Sequence, residues 1–253
     1  MSRYALVAFD LDDTLAPSKS PLPGRMAAAL RSLLDVSLVC VISGGQYGQF
    51  ESQLLANLDA SQEQLAKLHL MPTCGTRYMV HRGGQWTDVY VHELPEEVRR
   101  EALAVVEDEA RMLGLWEEET WGPILEDRAT QITFSALGQQ APLEAKKAWD
   151  PDGAKKELLR AACQERLPGL EVRSGGSTSV DITRKGIDKA YGIAELSKQT
   201  GIAIGDMLFV GDRLDEGGND FPVLRLGIDT RAVSDWQDTA DFVEGYAAGL
   251  RGD

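Results

Sequence analysis

The chain has 253 residues, 43% of them hydrophobic, with 26 lysines and arginines against 40 aspartates and glutamates and a net charge of −14. This composition excludes a disordered acidic chain and argues against a protein that binds a nucleic-acid backbone through clustered cations. No apolar run approaches the roughly 20 residues that span a bilayer, and the three cysteines show no Cys-x-x-Cys spacing, so we expect a cytoplasmic protein with neither nucleic-acid nor membrane partners.

Apolar runs and helix-forming segments alternate along the first third of the chain. Strands are predicted at Tyr4–Phe9 and Ser37–Ile42, and helices at Arg25–Leu34 and Tyr47–Leu58. A β-α-β-α order of this kind implies a parallel sheet whose strands are joined by helical crossovers.

The middle of the chain combines a hairpin with longer helices. Two short runs, Tyr78–Val80 and Trp86–Val91, flank a Gly-Gly turn, and Pro95–Leu113 has apolar residues at helical spacing. The other elements predicted in this region are strands at Gln131–Ala136, Leu170–Arg173 and Ser177–Thr183 and a helix at Asp152–Leu167.

The alternating order then returns towards the end of the chain. The elements predicted there are a helix at Lys189–Thr200, strands at Met207–Val210 and Leu226–Asp229, and a final helix after Ser234. We therefore predict an α/β fold, in which residues 1–82 and 184–253 form a doubly wound, Rossmann-like parallel sheet and residues 83–183 form an α+β insert.

Acidic residues follow the first predicted strand, in Phe9-Asp10-Leu11-Asp12-Asp13-Thr14. Residues two apart in an extended segment project to the same side, so Asp10 and Asp12 share the carboxyl end of a strand, where open α/β sheets place their ligands. Neighbouring carboxylates repel and need a cation, and Mg²⁺ suits carboxylate, water and phosphate oxygens. A solvated acidic turn is the alternative. An EF-hand loop fits poorly, because Leu15 stands where its glycine should be.

Three further segments could complete such a site. Gly211-Asp212, followed by Gly217-Gly218-Asn219-Asp220, brings acids to the end of another strand; an acidic turn is again the alternative. Ser43 before Gly44-Gly45 offers a hydroxyl and backbone N–H groups to an anion. Capping of the following helix by Ser43 is an equally good explanation of the same residues. Lys189 opens a helix, where the macrodipole disfavours a cation, so it has either a functional reason or an ordinary surface position.

These segments together resemble the motifs of the haloacid dehalogenase superfamily of aspartate-nucleophile phosphotransferases. In chain order the matching residues are Asp10, Asp12 and Thr14, then Ser43, then Lys189, then Gly211 and Asp212 with Asn219 and Asp220. The insert lies between the second and third motifs, which is the position of the α/β cap in the type IIB, Cof-like branch. Within that branch the chain is most similar to the eukaryotic-type phosphomannomutases.

The resemblance to the phosphomannomutases implies which residues would hold the substrate. Ser179 and Asp181, just before Gly-x-x-Lys, would contact the sugar. Arg128 matches the first cap arginine, which in that family grips a distal phosphate, and Lys146 stands at the place of the third. Gln139 replaces the second cap arginine, and Lys19, near the nucleophile, stands where the family has another arginine. Lysine keeps the charge but lacks the planar two-pronged grip on phosphate.

The superfamily resemblance also implies a mechanism. Asp10 would attack phosphorus and become an aspartyl-phosphate, and Asp12 would act as general acid and then general base. Asp10, the Asp12 carbonyl and Asp212 would hold Mg²⁺, with Asp220 as a further or water-mediated ligand. Ser43, the Gly44 backbone and Lys189 would bind phosphoryl oxygens.

We expect a sugar-phosphate phosphohydrolase, since a mutase needs a stronger clamp on the distal phosphate, and a phosphomannomutase or other phosphohexomutase is the second choice. A non-catalytic, receiver-like phospho-accepting module is an alternative of another class, as is a plain acidic interaction domain. The expected partner is a small phosphorylated sugar, and both a monomer and a homodimer are compatible with the sequence.

Overall fold

The computed structural model describes residues 4–175 and 178–252, and the chain forms two compact units. The first comprises Met1–Val91 with Ile187–Asp253, and the second comprises His92–Gly186. The predicted boundary at 82/83 is earlier than the observed one because Gln85–Val91 pairs with Arg77–Arg82 and extends the sheet of the first unit. Hydrogen bonding therefore assigns both strands of the predicted hairpin to the first unit. The predicted boundary at 183/184 is close to the observed one after Gly186.

The first part of the chain alternates strands and helices as predicted. In chain order the elements are β1 (Leu6–Phe9), α1 (Gly24–Val36), β2 (Leu38–Ile42), α2 (Tyr47–Gln49), a π-helical stretch (Phe50–Leu55), α3 (Ala56–Leu58), α4 (Gln62–Leu65), β3 (Leu68–Met71), a 3₁₀ turn (Thr73–Gly75), β4 (Arg77–Arg82) and β5 (Gln85–Val91). The single helix predicted over Tyr47–Leu58 is thus helical throughout, with wider π-helical turns at its centre.

The remaining elements build the second unit and complete the first. The second unit contains α5 (Glu96–Met112), β6 (Leu125–Asp127), β7 (Ile132–Ser135), α6 (Leu143–Trp149), α7 (Ala154–Arg166), β8 (Leu170–Ser174) and β9 (Ser179–Arg184). The chain then adds to the first unit α8 (Lys189–Thr200), a 3₁₀ turn (Ile204–Asp206), β10 (Met207–Gly211), a 3₁₀ helix (Phe221–Leu226), β11 (Asp229–Ala232) and α9 (Trp236–Arg251).

The sheet of the first unit has the strand order β11-β10-β1-β2-β3-β4-β5, parallel from β11 to β3 and antiparallel at β4 and β5. Alternate residues of β1 enter two different cores: Val7 and Phe9 pack in one cluster with residues of α1 and α9, and Leu6 and Ala8 pack in another with Ile193 of α8. Since both faces are covered, the central strands are apolar on both sides, and the predicted doubly wound α/β fold is confirmed.

The sheet of the second unit is antiparallel, with the order β6-β7-β9-β8. One face packs against α5 and α7 through apolar residues of β7 and β9, among them Phe134 and Val180. The neighbouring residue along each strand, such as Thr133 on β7 and Asp181 on β9, points to the opposite face because side chains alternate along a strand. This face is polar.

One predicted strand needs correction. The strand predicted at Leu226–Asp229 is wrong: Leu226 ends a 3₁₀ helix, Gly227 leaves it with a φ of +68°, and the strand runs over Asp229–Ala232. This edge strand is polar, so hydrophobicity alone placed it too early. Ser177, predicted to begin a strand, lies outside the described residues. Among residues 4–175 and 178–252, no helix is both long and apolar enough to cross a membrane.

Candidate active site

Two acids meet where neighbouring parallel strands end. Asp10 follows β1 and Asp212 follows β10, and the register pairs Phe9 with Val210. The Asp10 backbone N–H donates to the Val210 carbonyl oxygen at 3.1 Å. Asp10, Asp212 and Asp220 each contribute a carboxylate oxygen to a cluster whose atoms lie within 4.8 Å of one another.

Asp220 enters this cluster from the loop that follows β10. Its Oδ2 accepts the Arg213 backbone N–H at 3.1 Å, and its own N–H donates to the Arg213 carbonyl oxygen at 3.1 Å. A Cβ at Gly211 would lie 2.4 Å from Asp220 Oδ2, so the close approach requires glycine at that position. The glycine of the Gly211-Asp212 pair therefore makes room for the third carboxylate.

Lys189, the first residue of α8, lies between two of these acids. Its Nζ is 2.6 Å from Asp10 Oδ1 and 2.5 Å from Asp220 Oδ1, and its side chain is only 1% exposed. Burial alone would lower the pKa of Lys189, but the two carboxylates raise it above the ordinary value. Lys189 is therefore charged and buried, and an ordinary surface position is excluded.

The electrostatics of the cluster favour a further cation. Burial raises the pKa of Asp10 to about 7, with Asp220 adding to the effect and Lys189 opposing it. Burial and the nearby Asp220 also raise the pKa of Asp212, whose Oδ1 accepts the Thr14 hydroxyl at 3.1 Å. Three carboxylates facing one ammonium group offer the oxygen donors that Mg²⁺ prefers. The residues present therefore fit Mg²⁺.

The Asp12 side chain is held apart from the three-carboxylate cluster by donors of its own. Its Oδ1 accepts the Lys19 backbone N–H at 2.8 Å and Gln53 Nε2 at 3.3 Å, and its Oδ2 accepts Gln49 Nε2 at 2.8 Å. Burial alone would raise the pKa of Asp12, but the charge and N–H of Lys19 and the two glutamine amides hold it below its ordinary value. The side chain of Asp12 is thus not among the clustered ligands.

Ser43 and Gly44 form a tight turn at the end of β2 rather than a helix cap. Ser43 Oγ accepts the Gly45 N–H at 3.1 Å, and α2 begins only at Tyr47, with Gln46 as its N-cap. The Cys74 N–H donates to the Ser43 carbonyl oxygen at 2.9 Å, which ties this turn to the Thr73–Gly75 segment.

Two predicted residues of the second unit lie on the polar face of its sheet. Ser179 pairs with Ser135, and Asp181 with Thr133, in the register of β9 and β7. Asp181 Oδ1 accepts the Thr133 hydroxyl and Gln131 Nε2, both at 2.7 Å. Ser135 and Ser179 are in turn 3.2 Å apart at their Oγ atoms, so these side chains form a polar row.

The cations expected to hold a distal phosphate already have partners. Arg128 Nη2 lies 2.5 Å from Glu126 Oε2, and the Arg128 side chain is only 9% exposed. Lys146, on α6, donates from Nζ to the Gln139 carbonyl oxygen at 2.8 Å. The Gln139 side chain donates to Ser135 Oγ at 2.7 Å.

Three residues at the site were not predicted from the sequence as functional residues. Thr14 is part of the first motif, yet only the structure reveals its contact with Asp212. Gln49 and Gln53 are four residues apart on a predicted helix, a spacing that places them on one face. That spacing was visible in the sequence, but their target, Asp12, was not.

Comparisons with known proteins show which family and which relatives this chain is similar to. A family model described as eukaryotic phosphomannomutase matches residues 118–244. A curated phosphomannomutase from Encephalitozoon cuniculi (strain GB-M1) is 24% identical over 220 residues, which cover 85% of this chain and 82% of that protein.

Solved structures share the fold at lower identity. A haloacid dehalogenase-like hydrolase from Bacteroides thetaiotaomicron superposes with a TM-score of 0.64 at 18% identity, covering 98% of this chain and 99% of that one. An IMP-bound Plasmodium falciparum IMP-nucleotidase, truncated at its N-terminus, gives a TM-score of 0.67 at 16% identity. The match covers 95% of this chain and 67% of that one.

Proposed function

Because this chain belongs to the eukaryotic phosphomannomutase family and has the fold of the haloacid dehalogenase enzymes, we propose that it is a Mg²⁺-dependent phosphotransferase acting on sugar phosphates through a phosphorylated Asp10. The observation that carries the proposal is the buried cluster of Asp10, Asp212 and Asp220 with Lys189 between two of them. A buried carboxylate held beside an ammonium group is a suitable nucleophile for phosphorus.

The proposed reaction has two steps. The first step starts from the protonated form of Asp12, which is the minor form because the pKa of that carboxyl is lowered. An Asp10 oxygen forms a bond to phosphorus, the bond from phosphorus to the sugar oxygen breaks, and Asp12 gives its proton to that oxygen. In the second, Asp12 takes a proton from water, the water oxygen bonds to phosphorus, and the bond to Asp10 breaks. Phosphate leaves and both aspartates return to their starting state.

Other groups bind the phosphoryl oxygens in this scheme. Lys189 Nζ, the Ser43 hydroxyl and the Gly44 N–H would hold them while negative charge builds up. Mg²⁺, when bound by Asp10, Asp212, Asp220 and the Asp12 carbonyl, would supply charge neutralisation. Lys19, half exposed beside Asp12, would add a cation near the substrate.

We favour water over a second sugar phosphate as the final acceptor. A mutase must hold its substrate in two opposite orientations, and it therefore needs a firm grip on the phosphate that is not reacting. The pairing of Arg128 with Glu126 and the presence of Gln139 in place of a cation both weaken such a hold. Ser179 and Asp181, in the polar row of the second unit, would contact sugar hydroxyls.

A phosphohexomutase is the second candidate, and the name of the curated relative favours it. The two are separated by measuring phosphate release from hexose phosphates with and without a hexose bisphosphate activator. Release without the activator is expected. Isomerisation of mannose 1-phosphate without phosphate release would establish the mutase instead. A lack of Mg²⁺-dependent turnover on a broad panel of phosphate esters would favour a receiver-like or interaction module.

We also propose a cytoplasmic setting, which is supported by the small number of cysteines and by their lack of Cys-x-x-Cys spacing.

A further inference from the structure

A chain of side-chain amides runs from Lys19 to Asp12. Lys19 Nζ donates to Gln49 Oε1 at 2.6 Å. An amide has one accepting and one donating end, so this contact turns the Gln49 Nε2 group towards Asp12, where it donates to Oδ2 at 2.8 Å. The lysine therefore sets the direction of the Gln49 amide.

The same ordering passes to a second glutamine. Gln49 Nε2 also donates to Gln53 Oε1 at 2.9 Å, which turns Gln53 Nε2 towards Asp12 Oδ1 at 3.3 Å. Gln53 is only 3% exposed, and a buried amide needs its partners. Its partners here include the very carboxylate that the proposed reaction uses for proton transfer.

The backbone supports this arrangement. Gln49 ends α2 and Gln53 lies in the π-helical stretch Phe50–Leu55, and single π-helical turns occur frequently at functional sites. On the other side, the Lys19 backbone, with a φ of +56°, donates its N–H to Asp12 Oδ1 at 2.8 Å. Both oxygens of Asp12 are thus fixed, so the plane of its carboxylate is set.

We propose that Gln49 and Gln53 are positioning residues that orient Asp12 for proton transfer to the leaving oxygen. This inference rests on the proposed function, in which Asp12 protonates the sugar oxygen. Neither glutamine need touch the substrate. A misplaced Asp12 would leave the attack by Asp10 intact but deprive a poor leaving group of its proton.

The test compares two leaving groups. A sugar alkoxide needs a proton as it leaves, whereas 4-nitrophenolate does not, and kcat/KM reports the step that breaks this bond. We expect Gln49→Leu and Gln53→Leu to lower kcat/KM for a hexose phosphate by about tenfold or more, and that for 4-nitrophenyl phosphate by no more than about twofold. A purely structural role would lower both alike.

Two further variants complete the design. Ser52→Ala is the matched control, because Ser52 lies on the same π-helical stretch and donates to the Gly48 carbonyl oxygen at 2.9 Å instead; it should leave both rates unchanged. Asp12→Asn should show the same selectivity as the glutamine variants, and a larger loss. If Gln53→Leu fails to fold, as judged by circular dichroism, the half-buried Gln49 carries the test.

The outcomes distinguish the positioning role of the two glutamines from the proposed catalytic role of Asp12. Selective loss in both Asp12→Asn and the folded glutamine variants supports the inference. Selective loss in Asp12→Asn with equal or no losses in the glutamine variants overturns the inference alone. Equal losses on both substrates in Asp12→Asn overturn the proposed role of Asp12, and the inference with it.

Discussion

Lys189 Nζ and Asp10 Oδ1 lie 2.6 Å apart, and their side chains are only 1% and 4% exposed. This ion pair joins the first residue of α8 to the residue that follows β1. Removing two charges from water is costly, and their mutual attraction offsets that cost only while both partners are present. The pair thus makes the charge of Asp10 depend on Lys189.

Replacing Lys189 should therefore cost stability as well as activity. In Lys189→Met the carboxylates of Asp10 and Asp220 lose their ammonium partner, and we expect the free energy of unfolding in urea to fall by about 3–5 kcal/mol. Lys198→Met is the matched control, since Lys198 lies on the same helix, is 67% exposed and pairs only at the surface with Glu195. It should cost less than about 1 kcal/mol. Similar losses in the two variants would refute the account of the buried pair.

Mg²⁺ should bind the folded chain and stabilise it. After treatment with EDTA, activity should disappear, and addition of Mg²⁺ should restore it and raise the thermal midpoint. The gain in unfolding free energy is about 2.7 kcal/mol at a concentration one hundred times the Kd. Asp212→Asn should lose most of this gain, whereas Asp215→Asn, in the same loop but paired with Arg213 at the surface, should keep it. An undiminished gain in Asp212→Asn would place the ion elsewhere.

His69 should make the first unit sensitive to acid. Burial, with the charge of Arg82 adding to it, lowers the pKa of His69 from 6.5 to about 4. Between these values the unfolded chain binds a proton that the folded chain does not, so stability is complete above pH 6.5 and falls as the pH drops towards 4. The loss attributable to His69 is on the order of 3 kcal/mol.

The pH effect is measured as the urea midpoint of unfolding against pH. His69→Gln, which keeps a polar partner for the Tyr78 hydroxyl now 2.7 Å from His69 Nδ1, should flatten the curve between pH 6.5 and 4. Parallel curves for the two proteins would mean that other groups cause the acid sensitivity.

Gly192 of α8 should not tolerate a side chain. A Cβ at this position would lie 2.4 Å from Ile42 Cδ1 and 2.8 Å from the Cys74 carbonyl oxygen, so Gly192→Ala should destabilise by about 1–3 kcal/mol. Since Cys74 also bonds to the turn that contains Ser43, KM should rise as well. Gly245→Ala, inside α9 with open space around it, should instead stabilise by about 0.5–1 kcal/mol. Equal effects in thermal unfolding would contradict the crowding at Gly192.

The proximity of Asp10 and Asp212 could be predicted because each follows an apolar strand, and parallel strands bring their carboxyl ends to one edge. The place of Asp220 beside them was implied only by the family resemblance and not by strand geometry, since it depends on how the loop after Gly211 folds back on Arg213. Local pattern predicts which residues end a strand, whereas a loop's path depends on contacts distant in sequence.

The errors in the fold have similar causes. The predicted boundary at 82/83 divides the predicted hairpin, yet β5 is hydrogen-bonded to β4. The polar residues of β11 resemble a loop, because an edge strand need not be apolar. The glutamines that bind Asp12 lie on a helix that was predicted. The turn that brings Lys19 to them has a left-handed backbone at Lys19, which the residue pattern does not predict.

The central claim is that Asp10 carries the phosphoryl group. Its most direct test is rapid acid quenching of the protein during turnover of a hexose phosphate with Mg²⁺, followed by mass spectrometry of the peptide that contains Asp10. We predict the mass of one added phosphoryl group on Asp10, and no adduct and no turnover in Asp10→Asn, with the circular dichroism spectrum unchanged. Turnover at the wild-type rate in Asp10→Asn, or an adduct on another residue, would contradict the account.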